Sequence, residues 1–184
     1  MADEMENTVI TPRLIRSIMI ALFVIGVPGM DAVAQSAARL GIAAGVTAPT
    51  SGYGNGKTVG YHIGLLIDVR VPASVVGFRV DGAFHEIGYS NSSTREDIWL
   101  ANANVLLKAP TGRFSPYLIG GGGIYNSHRT PFPGGHSSTD PGANFGGGIR
   151  FNFTDATTFI EARYHKVSGD SRIRILPVTV GILF

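Results

Sequence analysis

The stretch 176–184 reads "LPVTVGILF", and its reading decides the fold. Leu176, Val178, Val180, Ile182 and Phe184 occupy every second position up to the last residue. Strict alternation of apolar and other residues marks a strand with one apolar face. Chain ends are ordinarily polar and loosely held, so an apolar ladder running to the final aromatic demands a partner. Pro177 lies on the opposite parity and lacks an N–H, so a bulge or a water-satisfied gap is expected there. Leu183 is the apolar exception on that parity and is expected at a rim.

The same period recurs upstream seven times. In "LGIAAGV" (40–46), Leu40, Ile42, Ala44 and Val46 share a face. In "YHIGLLIDVR" (61–70) the apolar parity runs Tyr61, Ile63, Leu65, Ile67, Val69. In "VGFRVDGAFH" (76–85) it runs Val76, Phe78, Val80, Gly82, Phe84, and in "WLANANVLLK" (99–108) Trp99, Ala101, Ala103, Val105, Leu107. "YLIGGGGIY" (117–125) sets Tyr117, Ile119 and Tyr125 against Leu118 and Ile124, a weaker split. "FGGGIRFNF" (145–153) and "FIEARYHK" (159–166) place Phe145, Ile149, Phe151, Phe153 and Ile160, Ala162, Tyr164 together. Eight such segments make an even count.

Bulk composition agrees with a membrane setting. Charged residues are 15% of the 184, against about 25% in a soluble domain. Beyond position 35 no apolar run reaches the roughly 18 residues that a membrane helix needs. The chain lacks Cys, which excludes disulfides and thiolate chemistry. The basic residues are scattered and give no nucleic-acid signature.

The N-terminus "TPRLIRSIMIALFVIGVPGMDAVAQS" has the order of a secretory leader. Arg13 and Arg16 precede an apolar core at 18–27, Pro28-Gly29 follows, and Ala32-Val33-Ala34 forms a cleavage site. The expected organisation is a signal peptide at 1–34 and a barrel domain at 35–184. Removing Arg13, Arg16, Asp3, Glu4, Glu6 and Asp31 leaves 13 basic and 9 acidic residues, a formal +4.

Connections alternate in length. Tight turns are read at 71–74, 109–114 and 154–157, and longer polar loops at 47–58, 86–97 and 126–143, with a short last link, "VSGDS" (167–171). Short turns at one end and long loops at the other describe an outer-membrane barrel. The predicted fold is all-β: a closed, eight-stranded, antiparallel, up-and-down transmembrane β-barrel. Three features turn the apolar face toward lipid. The opposite face is rich in Gly, Ala and Asn, which suit a crowded eight-strand lumen. Aromatics stand at two levels eight residues apart: Tyr61, Phe84, Trp99, Tyr125 and Phe145 at the long-loop ends, Tyr117, Phe153 and Phe184 at the tight-turn ends. Eight tilted steps rise on the order of 20 Å, so these levels read as interfacial girdles. The leader, finally, sends the chain out of the cytoplasm.

The inner parity carries Asp68, Arg70, Arg79, Asp81, Lys108, Arg150, Glu161 and Arg163. Charges in a narrow lumen must pair or reach trapped water, so these residues are expected to form a structural polar network rather than a pore. The Gly runs 120–123 and 146–148 sit mid-strand without a following Lys, which excludes a phosphate-cradling loop. His85, Glu86, His128 and His136 match no compact metal-ligand set. No cofactor is expected.

The stretches "FIEARYHKVSGDSRIRILPVTVGILF" and "PYLIGGGGIY" resemble the last hairpin and the Gly-rich middle strand of small OmpA/OmpX-type outer-membrane β-barrel domains. The resemblance implies a place in the bacterial outer membrane, in contact with its lipid, with both termini in the periplasm. It implies that Val178, Val180, Ile182 and Phe184 form the signal read by the barrel-assembly machinery, with periplasmic chaperones as partners during biogenesis. It implies a structural or surface-interaction role through the loops, with a surface ligand held by them. One alternative is a lipid A deacylase-like enzyme using His165 and Ser168, which lack that group's tighter His-x-Ser spacing. The other is a soluble periplasmic barrel that binds a ligand inside.

Overall fold

The computed structural model describes residues 38–184 apart from 91, 110–111, 131–136 and 155. The leader read at 1–34 lies outside the described residues. Eight strands follow in order: β1 (Ala38–Pro49), β2 (Gly60–Arg70), β3 (Val76–Gly88), β4 (Arg95–Lys108), β5 (Phe114–Thr130), β6 (Ser137–Asn152), β7 (Thr157–Val167) and β8 (Arg174–Leu183). Each pairs antiparallel with its sequence neighbour, and β1 pairs β8 to close the barrel. Closure gives every strand two partners, which is what backbone amides facing lipid require.

The alternation read from the sequence becomes the two faces of the wall. Leu40, Ile42, Ile63, Leu65, Val80, Val105, Leu107, Ile149, Ile160, Val178 and Val180 all lie on the outside, exposed. The buried set holds more polar and charged residues than apolar ones. A soluble ligand-holding barrel has the reverse arrangement, so that alternative is discarded.

On β5 the faces are the reverse of those expected. Leu118 is 65% exposed, whereas Tyr117 is 4% and Tyr125 0% exposed. Register explains it: Tyr117 stands opposite Lys108 and Tyr125 opposite Leu100, both inner positions of β4. The four glycines between them are equally small on either parity, so local alternation could not choose the face. Tyr117 and Tyr125 therefore leave the predicted girdles. Their eight-residue interval, equal to that of the true outer residues, has no interfacial meaning.

The loop expected at 126–143 is largely strand. β5 and β6 stay paired as far as Asn126↔Thr139, Ser127↔Ser138 and His128↔Ser137. This hairpin passes the last outward apolar residues, Ile124 and Phe145, by several residues of polar ladder. At roughly 3.3 Å per residue the extension exceeds 10 Å along the strand.

Pro177 produces a gap and not a bulge. Pairing of β7 with β8 lapses at Arg163–Pro177 and Tyr164–Leu176, then resumes in the same register at His165↔Ile175. An inserted residue would have shifted that register. Phe184 N–H donates to Leu40 O and Thr50 N–H to Arg174 O. Even-numbered β8 residues thus bond to β1, and the missing N–H of Pro177 is the one due to Arg163 on β7. Leu183 is fully buried against Leu66 and Phe159 rather than lying at a rim.

Candidate functional site

The lumen is the first candidate, because six of the eight predicted inner charges meet at its waist. Asp68, Arg79, Asp81, Arg150, Glu161 and Arg163 are all at most 9% exposed. Arg79 donates from Nε to Asp68 Oδ1 at 2.6 Å and from Nη1 to Glu161 Oε2 at 2.8 Å. Arg163 donates from Nη1 to Asp81 Oδ1 at 3.0 Å. Its Nε lies 2.7 Å from Glu161 Oε1, too poorly aligned for a hydrogen bond. Arg150 pairs with Asp68 through Nη2.

Neutral donors complete the waist. Asn104 and Asn102 donate to Asp81 at 2.8 and 3.2 Å, and Tyr117 OH donates to Glu161 Oε2 at 2.6 Å. Three guanidinium groups therefore face three carboxylates, drawn from β2, β3, β6 and β7. Pairing across the lumen offsets the desolvation that each ion alone would suffer. Inner glycines make room for the larger groups. A Cβ on Gly148 would meet the Tyr117 hydroxyl at 2.7 Å, and one on Gly142 the Tyr125 ring at the same distance.

Toward the long-loop end lies an imidazole layer that sequence reading missed. His62 and His85 stack at 4.8 Å. Thr47 Oγ1 bonds to Nδ1 of both, at 3.0 and 2.8 Å, and His62 Nε2 bonds to Thr179 Oγ1 at 3.0 Å. The layer joins β1, β2, β3 and β8 where the barrel closes. His62 and His85 are on the inner parity of the segments 61–70 and 76–85, which is the signal the sequence offers for this layer. Above it, Ile87, Ile98, Leu100, Tyr125, Val167, Ile173 and Ile175 form an apolar plug. A clip outside the plug ties the first loop to β4: Lys57 Nζ donates to Glu96 at 2.5 Å and lies 3.2 Å from the Tyr53 ring centre. Burial lowers the Lys57 ammonium pKa to about 8, with Glu96 opposing.

His165 and Ser168 do not form a dyad. His165 is 1% exposed inside the barrel and bonded through Nδ1 to Tyr125 OH at 2.8 Å. Ser168 is exposed, outside the strand. Nor are the loop metal candidates brought together. His85 is inside, His128 is exposed on β5, and Glu86 bonds Tyr61 and Arg95 on the outer face. His136 lies outside the described residues. Among the described residues, no group of three or more His, Cys, Asp or Glu could hold a metal.

Of the predicted girdle, Tyr61, Trp99, Phe145, Phe153 and Phe184 are exposed on the outer face, and Phe84 is half-buried against Trp99 at 4.9 Å. Val178, Val180 and Phe184 point outward on β8, and Ile182 shares their parity. Arg70 and Lys108 stand apart from the waist, half-buried at the tight-turn end. With Arg150 they line a cavity of about 230 Å³.

An apolar-outside, ion-paired-inside closed barrel of eight strands is the build of a small outer-membrane β-barrel. The chain matches the outer membrane protein beta-barrel domain family over residues 17–181 and belongs to it. Among solved structures it is similar to Neisserial surface protein A, at 17% identity and TM-score 0.68, covering 80% of this chain and 96% of that one. It is also similar to Ail, the attachment invasion locus protein of Yersinia pestis, at 16% identity and TM-score 0.53, covering 79% and 95%. At these identities the likeness is one of fold. No curated protein matches the sequence. The protein is an outer-membrane β-barrel.

Proposed function

We propose that this barrel is a cell-envelope protein that meets partners outside the cell, with its tight turns and both termini in the periplasm. The observation carrying the reading is the β5–β6 hairpin. It remains a paired ladder well past the apolar belt, and the paired part of it carries Asn126, His128, Arg129, Ser137 and Thr139. Asn126 bonds Thr139 at 2.8 Å, so the projection is braced by its own side chains. A stiff polar hairpin above the lipid presents a pre-ordered surface, which reduces the ordering cost of binding. Ail, similar in fold, is by name an attachment and invasion protein, which agrees with this reading. The plugged, charge-paired lumen favours a structural interior over a conduit.

An epitope inserted after Gly134 tests the orientation. Antibody labelling of intact cells is the expected result. Labelling only after the outer membrane is permeabilised would place this hairpin in the periplasm and reverse the reading. A second arm tests the partner role: deleting 131–136 should reduce adherence to host or abiotic surfaces while leaving heat-modifiable gel migration unchanged. Unaltered adherence would leave a structural role alone.

A further inference from the structure

The waist is charge-neutral, but the tight-turn end of the lumen is not. Below the waist three more cations project inward: Arg39, Arg70 and Lys108, all half-buried. None of them forms an ion pair with a described residue. Arg70 is repelled by Arg39 and Arg150, with Asp68 as its attractive charge among the described residues. Lys108 is repelled by Arg150, Arg70 and Arg79, with Asp68 again opposing. Asp68 is already shared between Arg79 and Arg150. Asp155 lies outside the described residues.

Two of these cations, Arg70 and Lys108, border the cavity. Arg70, Lys108 and Arg150 line it, together with Ser74, Ser115, Asn152 and the Val71, Val75 and Val76 turn. Its 230 Å³ is far above the ~10–15 Å³ that a single water needs. Arg150 is 2% exposed and lines the cavity while paired with Asp68. Gly77 keeps the lysine in place: a Cβ there would meet Lys108 Nζ at 2.5 Å.

We propose that this cavity binds a phosphate group, carried either by inorganic phosphate or by a phospholipid headgroup at that face of the membrane. A tetrahedral oxyanion presents several acceptor oxygens to these cations, and as inorganic phosphate its charge near −2 offsets more of the local excess than a phosphodiester headgroup of charge −1 does. Guanidinium forks and an ammonium match such an oxyanion in geometry and strength. The Ser74 hydroxyl, which accepts from Val76 N–H, has its own O–H to add as a neutral donor. The site lies at the opposite end of the barrel from the hairpin, so it does not depend on a surface partner.

The test uses the protein folded into phosphate-free maltoside micelles, titrated with inorganic phosphate and read by calorimetry and phosphorus NMR. Saturable binding near one per barrel is expected. The double variant Arg70→Gln/Lys108→Gln should weaken it about tenfold or more, and Arg95→Gln at the other end should leave it unchanged. Heat-modifiable migration verifies that each variant is folded. Without phosphate, the double variant should be at least as heat-stable as the parent, because repulsion is relieved. A merely structural role predicts a loss. If inorganic phosphate does not bind but one phospholipid per barrel co-purifies and is lost in the double variant, the headgroup is the source. Absence of both overturns the proposal.

Discussion

The waist and the tight-turn mouth of the lumen use the same kinds of residue to opposite ends. At the waist each guanidinium reaches a carboxylate across the barrel, with three of each sign. At the mouth the cations accumulate over a cavity. The difference follows from access to water. A dry, fully enclosed ion is costly unless paired. A half-exposed one is solvated and can be held in reserve for a ligand.

That contrast can be broken most forcefully at the waist. Arg79→Met removes one cation from both Asp68 and Glu161, leaving two guanidinium groups to three carboxylates, and should cost about 3–5 kcal/mol in urea unfolding from lipid vesicles. A cost under about 1 kcal/mol would mean that the waist is as wet as the mouth. Next in size is the wall between them: Leu118→Arg on β5 should cost about 2–4 kcal/mol as a lipid-facing charge. Tolerance of that change would restore the reversed face assignment, with Tyr117 outward. Tyr117→Phe removes a single hydroxyl from Glu161 and should cost about 1–3 kcal/mol by the same unfolding assay.

Smaller effects sharpen the boundary. Pro177→Ala lets β8 donate to Arg163, and should stabilise by at most about 1 kcal/mol, since regained bonding is partly offset by greater freedom of the unfolded chain. New amide protection at residue 177 in hydrogen exchange would report the closed gap; no protection would mean that the strands stay apart there for another reason. Lys108→Gln at the mouth should change stability by no more than about 0.5 kcal/mol, toward greater stability if at all.

Much of this was legible in period-2 alternation, since it is a local property. It placed strands β1–β4 and β6–β8 with their correct outer faces and put all eight predicted charges inside. It failed where side chains stop alternating. The glycines at 120–123 hid the face of β5, and with it the inward course of Tyr117 and Tyr125. It also misread polar ladders as loops. Ser137–Gly142 and Asn126–Arg129 look like connection by composition, yet backbone pairing, braced by Asn126 on Thr139, holds them in register.

The sequence by itself determined that eight half-apolar strands must close on one another with lipid outside and charge within. The reason is that backbone and side-chain chemistry leave no other satisfied arrangement in a membrane. The tertiary structure decided everything that depends on partners far apart in the chain: the direction β5 faces, which carboxylate each arginine reaches, and the gap rather than bulge at Pro177. It also decided which cations are left unpaired. Those outcomes are set by strand register, and register is a relation between segments that no single segment contains.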